Sequence, residues 1–166
     1  MEEEDPVLQE MRSWTGKELV PQPAKFEVEK GMMMKIPWVI NDPNPLWRNE
    51  KYARQTRYGG IIASPSFVEY LRIRPACVPD RKPTPVTRLG IPGTRGQANV
   101  VGGEEVEYFR PIRPGDVINI SHKNIGVKKS WSKSLGTQVY ILTFEFTYTN
   151  QFDELVALHR TTSFKI

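Results

Sequence analysis

Cysteine, histidine and long apolar runs are what this chain of 166 residues has least of. Its one cysteine, Cys77, excludes an internal disulfide and any multi-cysteine zinc site. Two histidines, His122 and His159, do not supply a His-rich metal site. No apolar run approaches the ~18–20 residues that a bilayer span requires, so no membrane association is expected. The start, Met1-Glu2-Glu3-Glu4-Asp5, is acidic, whereas a signal peptide opens basic and then turns apolar; a cytoplasmic protein is expected. Hydrophobic residues at 39% and charged residues at 25% have the balance of one globular domain, expected to span residues 1–166.

Charge is not scarce, and it is uneven. Setting aside the four carboxylates among the first five residues, a net charge of +4 becomes about +8 for the remainder. A basic surface suits nucleic acid, a small polyanion such as the phosphates of coenzyme A, or solvent alone. No helix-turn-helix, finger or RNA-recognition signature is present, so a nucleic-acid-binding module is the remote alternative.

Prolines and glycines divide the chain. A short helix is expected from Pro6 to Trp14, ended by Gly16, and a short strand at Phe26-Glu27-Val28. Gly31 to Ile40 is apolar but interrupted by Pro37. Asn44 before Pro45 fits a helix N-cap with proline in the first position, and a helix is expected from Leu46 to Arg57. Ser66 to Arg72 has room for a second, shorter helix, and 75–103 reads as a long irregular excursion. In Gln138 to Asn150, Tyr140, Leu142, Phe144, Phe146 and Tyr148 alternate with threonines and Glu145, the period of a half-buried strand. Leu155 to Phe164 completes a hairpin, and Val106 to Phe109 and Val117 to Ile120 are two further strands. Helices followed by a run of antiparallel strands make an α+β domain.

The segment Asp42-Pro43-Asn44-Pro45-Leu46-Trp47, followed by Ile62-Ala63-Ser64-Pro65, resembles the hydratase motif of the MaoC-like (R)-specific enoyl-thioester hydratases and dehydratases. That motif reads Asp-x-Asn-Pro-Leu-His and then Ile-Ala-His-Gly, and the interval matches without a gap. Phe109-Arg110-Pro111-Ile112-Arg113-Pro114-Gly115-Asp116 and the hairpin around Tyr148 to Ala157 are similar to later parts of the family. Ile62 to Phe67 looks like the Ile-Ala-Pro-Pro-Thr-Phe variant of its N-terminal dehydratase-type, fatty-acid-synthase-like subfamily. The resemblance covers about residues 15–164.

What the resemblance implies is a hotdog fold, a long central helix wrapped by an antiparallel sheet. It also implies a site for an acyl thioester of coenzyme A or an acyl carrier protein, with no cofactor and no metal. Hydrating an enoyl thioester needs a base and an acid for the water and Cα, and a donor for the thioester oxygen. In the family the Asp and His hold the water, and a backbone N–H near the Gly serves the oxygen. Asp42 keeps the catalytic carboxylate, and Asn44, Trp47, Ile62, Ala63, Ser64, Pro65 and Ser66 are the substrate-binding candidates. Trp47 stands where the family has His, and an indole donates one hydrogen bond but shuttles no proton near neutral pH. Pro65 stands at the Gly and has no N–H.

An acyl-binding subunit lacking the full Asp/His pair is therefore expected, as a homodimer or with a second hotdog chain. The alternative is an active homodimeric (R)-specific hydratase in which Asp42 works with another partner and Ser66 N–H serves the oxygen. Among the remaining candidates, His122 is expected on the surface and His159 as a satisfied structural histidine. Cys77 reads as an inert thiol, while Lys82, Arg88 and Arg95 read as solvated charge or a grip on phosphates. Met32, Met33, Met34 and Trp38 read as core packing or as an adaptable tunnel lining.

Overall fold

The computed structural model describes residues 5–19, 24–73 and 99–166. Five strands, β1 (Ala24–Glu27), β2 (Asn99–Tyr108), β3 (Val117–Ser132), β4 (Thr137–Thr149) and β5 (Leu155–Lys165), form one sheet in the order β1-β3-β4-β5-β2. Every neighbouring pair is antiparallel. The α+β class expected from the alternation is what forms.

Residues opposite one another in register share a face of the sheet. Tyr148 pairs with Ile120 and Ala157, Phe146 with His122 and His159, Phe144 with Asn124 and Thr161, and Leu142 with Ser163. This inner face is covered from two directions. Helix α5 (Phe67–Ile73) buries Phe67, Val68 and Leu71 against Ile118, Ile120, Tyr148 and Ala157. At the other end α1 (Pro6–Ser13) buries Met11, which packs with Leu19, Leu142 and Phe144. The same face also carries buried polar residues beside these clusters: Asn124, His159, Thr161, Ser163 and Lys165.

Local chemistry sets the ends of these elements. The Asp5 side chain caps α1 by accepting from the Val7 and Leu8 amides, ahead of Pro6 at the first helical position. Its carboxylate also accepts from Lys129 at 2.6 Å and from the Tyr140 hydroxyl at 2.7 Å, fastening α1 to β3 and β4. The β4–β5 turn closes on Asn150, whose Oδ1 accepts from the Phe152 and Glu154 amides. Gly102 sits at a register shift in β2, where a Cβ would fall 1.9 Å from the Phe164 ring.

Two expectations differ from the structure. Leu46 to Arg57 is not one helix but two, α3 (Pro45–Arg48) and α4 (Glu50–Arg54). Asn49 between them is extended, with φ −116° and ψ 104°, and its side chain caps α4 by accepting from Tyr52 N. A capping residue restarts the helix as effectively as proline or glycine. The strand at Val117 runs on to Ser132, far beyond Ile120; Lys128 to Trp131 are exposed in succession, so no alternation marks that stretch. Pro37 lies inside α2 (Lys30–Val39) without ending it. Of the expected excursion 75–103, residues 99–103 belong to β2 and the rest lies outside the described residues.

Leu71→Ala is expected to cost about 2–5 kcal/mol, since it leaves a cavity where α5 meets the sheet. Val39→Ala, at a position 83% exposed, is expected to stay within about 0.5 kcal/mol. Urea unfolding monitored by circular dichroism separates them: the midpoint falls for the first variant and holds for the second.

Candidate functional site

Asp42 follows α2 directly. Asn41 takes the left-handed conformation, φ 53°, which asparagine tolerates better than most residues, and Asp42 N donates back to the Pro37 carbonyl at 2.8 Å. This reversal aims the Asp42 carboxylate along the segment that follows it. Oδ1 accepts from the Asn44 amide at 2.9 Å, closing an Asx turn. Oδ2 accepts from the Trp47 indole Nε1 at 2.9 Å. Arg48 Nη1 donates to the Asp42 backbone carbonyl at 3.0 Å. Asn44 accepts from Leu46 N and caps α3, and that one turn of helix brings Trp47 round onto the carboxylate.

Trp47 also lines a pocket of about 350 Å³. Ile62, Ala63, Ser64 and Pro65 form one wall, and Tyr108 to Ile112 another. Ala63 N donates to the Ile112 carbonyl at 2.9 Å, and the Tyr108 hydroxyl donates to the Pro65 carbonyl, so the two walls are tied by hydrogen bonds. Arg57 and Arg110 stand among the lining residues. Arg57 Nη2 donates to the Tyr58 hydroxyl at 2.6 Å, and Arg113 holds the Tyr58 carbonyl at 2.7 Å. Arg110 pairs with Glu154 at 3.1 Å. Burial, and then the nearby Glu69 carboxylate, push the Tyr108 hydroxyl up to about 12, which keeps it a hydrogen-bond donor at neutral pH.

Five of the eight candidate positions thus meet at one cavity: Trp47, Ile62, Ala63, Ser64 and Pro65. Asp42 lies behind Trp47 rather than among the lining residues. Asn44 uses its side chain as a helix cap, and the Ser66 hydroxyl pairs with Ser64 Oγ at 3.0 Å, so neither lines the pocket. Residues that sequence reasoning passed over are Arg57, Tyr58 and the Tyr108–Ile112 wall. Phe109-Arg110-Pro111-Ile112 carried a family signal, but only the hydrogen bond to Ala63 marks it as part of the site. Cys77, Lys82, Arg88 and Arg95 lie outside the described residues. Met33 is buried and Met32 and Met34 pack against the core, while Trp38 is exposed, its ring 5.6 Å from the Arg48 guanidinium.

Both histidines depart from expectation. His122 is not a surface residue: it faces inward from β3 and stacks on Phe146, with ring centroids 4.0 Å apart. Strand β3 continues past it, so the polar residues around it are a sheet face and not a loop. Burial, and secondarily the Arg72 guanidinium, push its pKa down to about 4. His159 is buried as expected, but among the described residues neither ring nitrogen makes a hydrogen bond. Its neighbours in register, Phe146 and Val106, offer no polar atom, and the Glu69 carboxylate stands 3.1 Å from Nδ1 without the alignment of a hydrogen bond.

The family described as FAS1-like, dehydratase domain region, matches residues 13–159. A probable enoyl-CoA hydratase alpha subunit of Thermomonospora curvata is 27% identical over 159 residues, 90% of this chain and 49% of that protein. The chain thus spans about half of that relative, and its match to a protein of Thermobifida fusca covers 59% of the latter. Among solved structures, the ChsH1-ChsH2 complex from Mycobacterium tuberculosis superposes with a TM-score of 0.74 at 19% identity, covering 96% of this chain and 88% of that one. The MaoC-like dehydratase from Rhodospirillum rubrum gives 0.62 at 24% identity, covering 87% and 88%. The fold is the hotdog. Among the described residues no helix is long and apolar enough to cross a membrane.

A histidine with a depressed folded pKa favours folding above its unfolded value, near 6.5, and that contribution is lost as pH falls from there towards 4. His122→Phe keeps the stack on Phe146 and removes the titration. Its urea stability is expected to fall less than that of the wild type between pH 6.5 and 4, with a slope smaller by about one proton.

Proposed function

The chain belongs to the FAS1-like dehydratase family of MaoC-like hotdog proteins, and from that premise we propose that it is an acyl-thioester-binding subunit of a hydratase or dehydratase. The observation that carries this reading is the hydrogen bond from Trp47 Nε1 to Asp42 Oδ2. Water addition to an enoyl thioester needs a group that takes a proton and passes it on. Asp42 retains acceptor capacity, but its partner is an indole N–H, which neither accepts nor releases a proton near neutral pH. The carboxylate is thereby committed to positioning Trp47, and Trp47 to walling the pocket.

What the pocket retains is suited to holding an acyl group. Trp47, Ile62, Ala63 and Ile112 offer apolar surface, while Arg57 and Arg110 offer positive charge to a phosphate-bearing carrier, whether coenzyme A or an acyl carrier protein. Pro65 removes the backbone donor at the position where the resemblance puts the oxyanion contact. The missing acid/base pair then comes from a second hotdog chain. Strand β2, at the end of the sheet order, supports such pairing: its outer edge has no strand partner among the described residues, and Val100, Val101 and Tyr108 are exposed along it.

Purified alone, the chain is expected to bind crotonyl-CoA without hydrating it. Hydration is expected to appear on reconstitution with a hotdog subunit carrying the Asp/His pair, and Ala63→Trp is expected to weaken binding at least tenfold. Hydration by the chain alone that disappears in Asp42→Asn would establish the homodimeric enzyme instead. Absorbance at the enoyl-thioester band and titration calorimetry read the two quantities separately.

A further inference from the structure

A second cluster of ionisable groups lies beyond the pocket, and none of its members lines the cavity. Glu69 and Arg72 belong to α5, Glu104 to β2 and His159 to β5. Val106 pairs with His159 and Glu104 with Thr161, so Glu104 stands one step along the same inner face from the histidine. The His159 ring is fully buried. Its Nδ1 is 3.1 Å from Glu69 Oε1 and its Nε2 is 4.0 Å from Glu104 Oε2. Neither contact has the alignment of a hydrogen bond: both ring nitrogens and Glu69 Oε1 are buried with no hydrogen-bond partner among the described residues.

Arg72 accounts for the other carboxylate oxygens. Its Nε and Nη2 donate to Glu69 Oε2 at 2.9 and 2.6 Å, and Nη2 reaches Glu104 Oε1 at 3.4 Å. Each carboxylate therefore commits one oxygen to the guanidinium and turns the other towards His159. Buried polar atoms without partners are costly, and here three of them border one small space.

We propose that Glu69 Oε1, Glu104 Oε2 and one nitrogen of His159 form a site for a divalent transition-metal ion, with Arg72 holding both carboxylates from outside. The donor atoms all lie within 4.8 Å of one another. Glu69 Oε1 and His159 Nδ1 already stand at the separation of neighbouring ligands around an ion with bonds of ~2.1 Å. One imidazole nitrogen with two carboxylate oxygens suits Zn²⁺ or Mn²⁺ better than Ca²⁺, which takes oxygen ligands throughout. Two carboxylates against one guanidinium leave a net negative charge that a cation neutralises. The side chains of Glu69 and Glu104 are about one third exposed, so an ion reaches the buried ring from their side. Bound there, it cross-links α5, β2 and β5.

The test uses the full chain, stripped with chelator, then titrated calorimetrically with ZnCl₂ and MnCl₂ while thermal unfolding is followed in parallel. About one equivalent of at least one ion is expected to bind and to raise Tm, reversibly with EDTA. His159→Gln and Glu104→Gln are each expected to weaken binding at least tenfold. Glu104→Gln is the control for folding, because its side chain is at the rim and its contact with Arg72 is long. Binding of neither ion overturns the proposal, as does binding that Glu104→Gln leaves unchanged. A second proton on His159, completing the cluster without a metal, produces the first of those results.

Discussion

Everything functional in this chain hangs from the docking of α5 onto the inner face of the sheet. Phe67, Val68 and Leu71 are almost completely buried there, and burial on that scale contributes several kcal/mol. The Tyr148 hydroxyl adds a hydrogen bond to the Val68 carbonyl at 3.3 Å. Once α5 is seated, the residues before it become a pocket wall and the polar residues along it are carried over the sheet. Ser64 and Pro65 are placed by the first consequence, Glu69 and Arg72 by the second.

The pocket depends on a second, smaller constraint. Asp42 is locked by its own neighbours: the reversal at Asn41, the Asx turn to Asn44 and the one-turn helix that returns Trp47. The geometry is that of a carboxylate paired with a ring N–H, a group that donates and does not accept.

Polar residues on the inner face complicate a fold otherwise organised by apolar burial. Beside the apolar clusters under α5 and α1, the inner face places His159 and Lys165 in full burial and His122 in partial burial. The chain answers some of these with ion pairs and aromatic contacts, as in the sandwich of Phe146 between His122 and His159. The His159 nitrogens are left without hydrogen bonds among the described residues.

Much of this was legible in the order of residues. The strict alternation from Gln138 to Asn150 specified β4 and its buried face, because a strand's side chains alternate by geometry alone. Asn44 before Pro45 specified the start of α3, since caps are read from neighbours in sequence. The tertiary structure alone decided that Arg57, Tyr58 and Tyr108 wall the pocket, that His122 is interior, and that His159 faces two carboxylates from 55 and 90 residues away. Those outcomes depend on strand register and on which face α5 covers, and both are fixed by long-range pairing that no local pattern encodes.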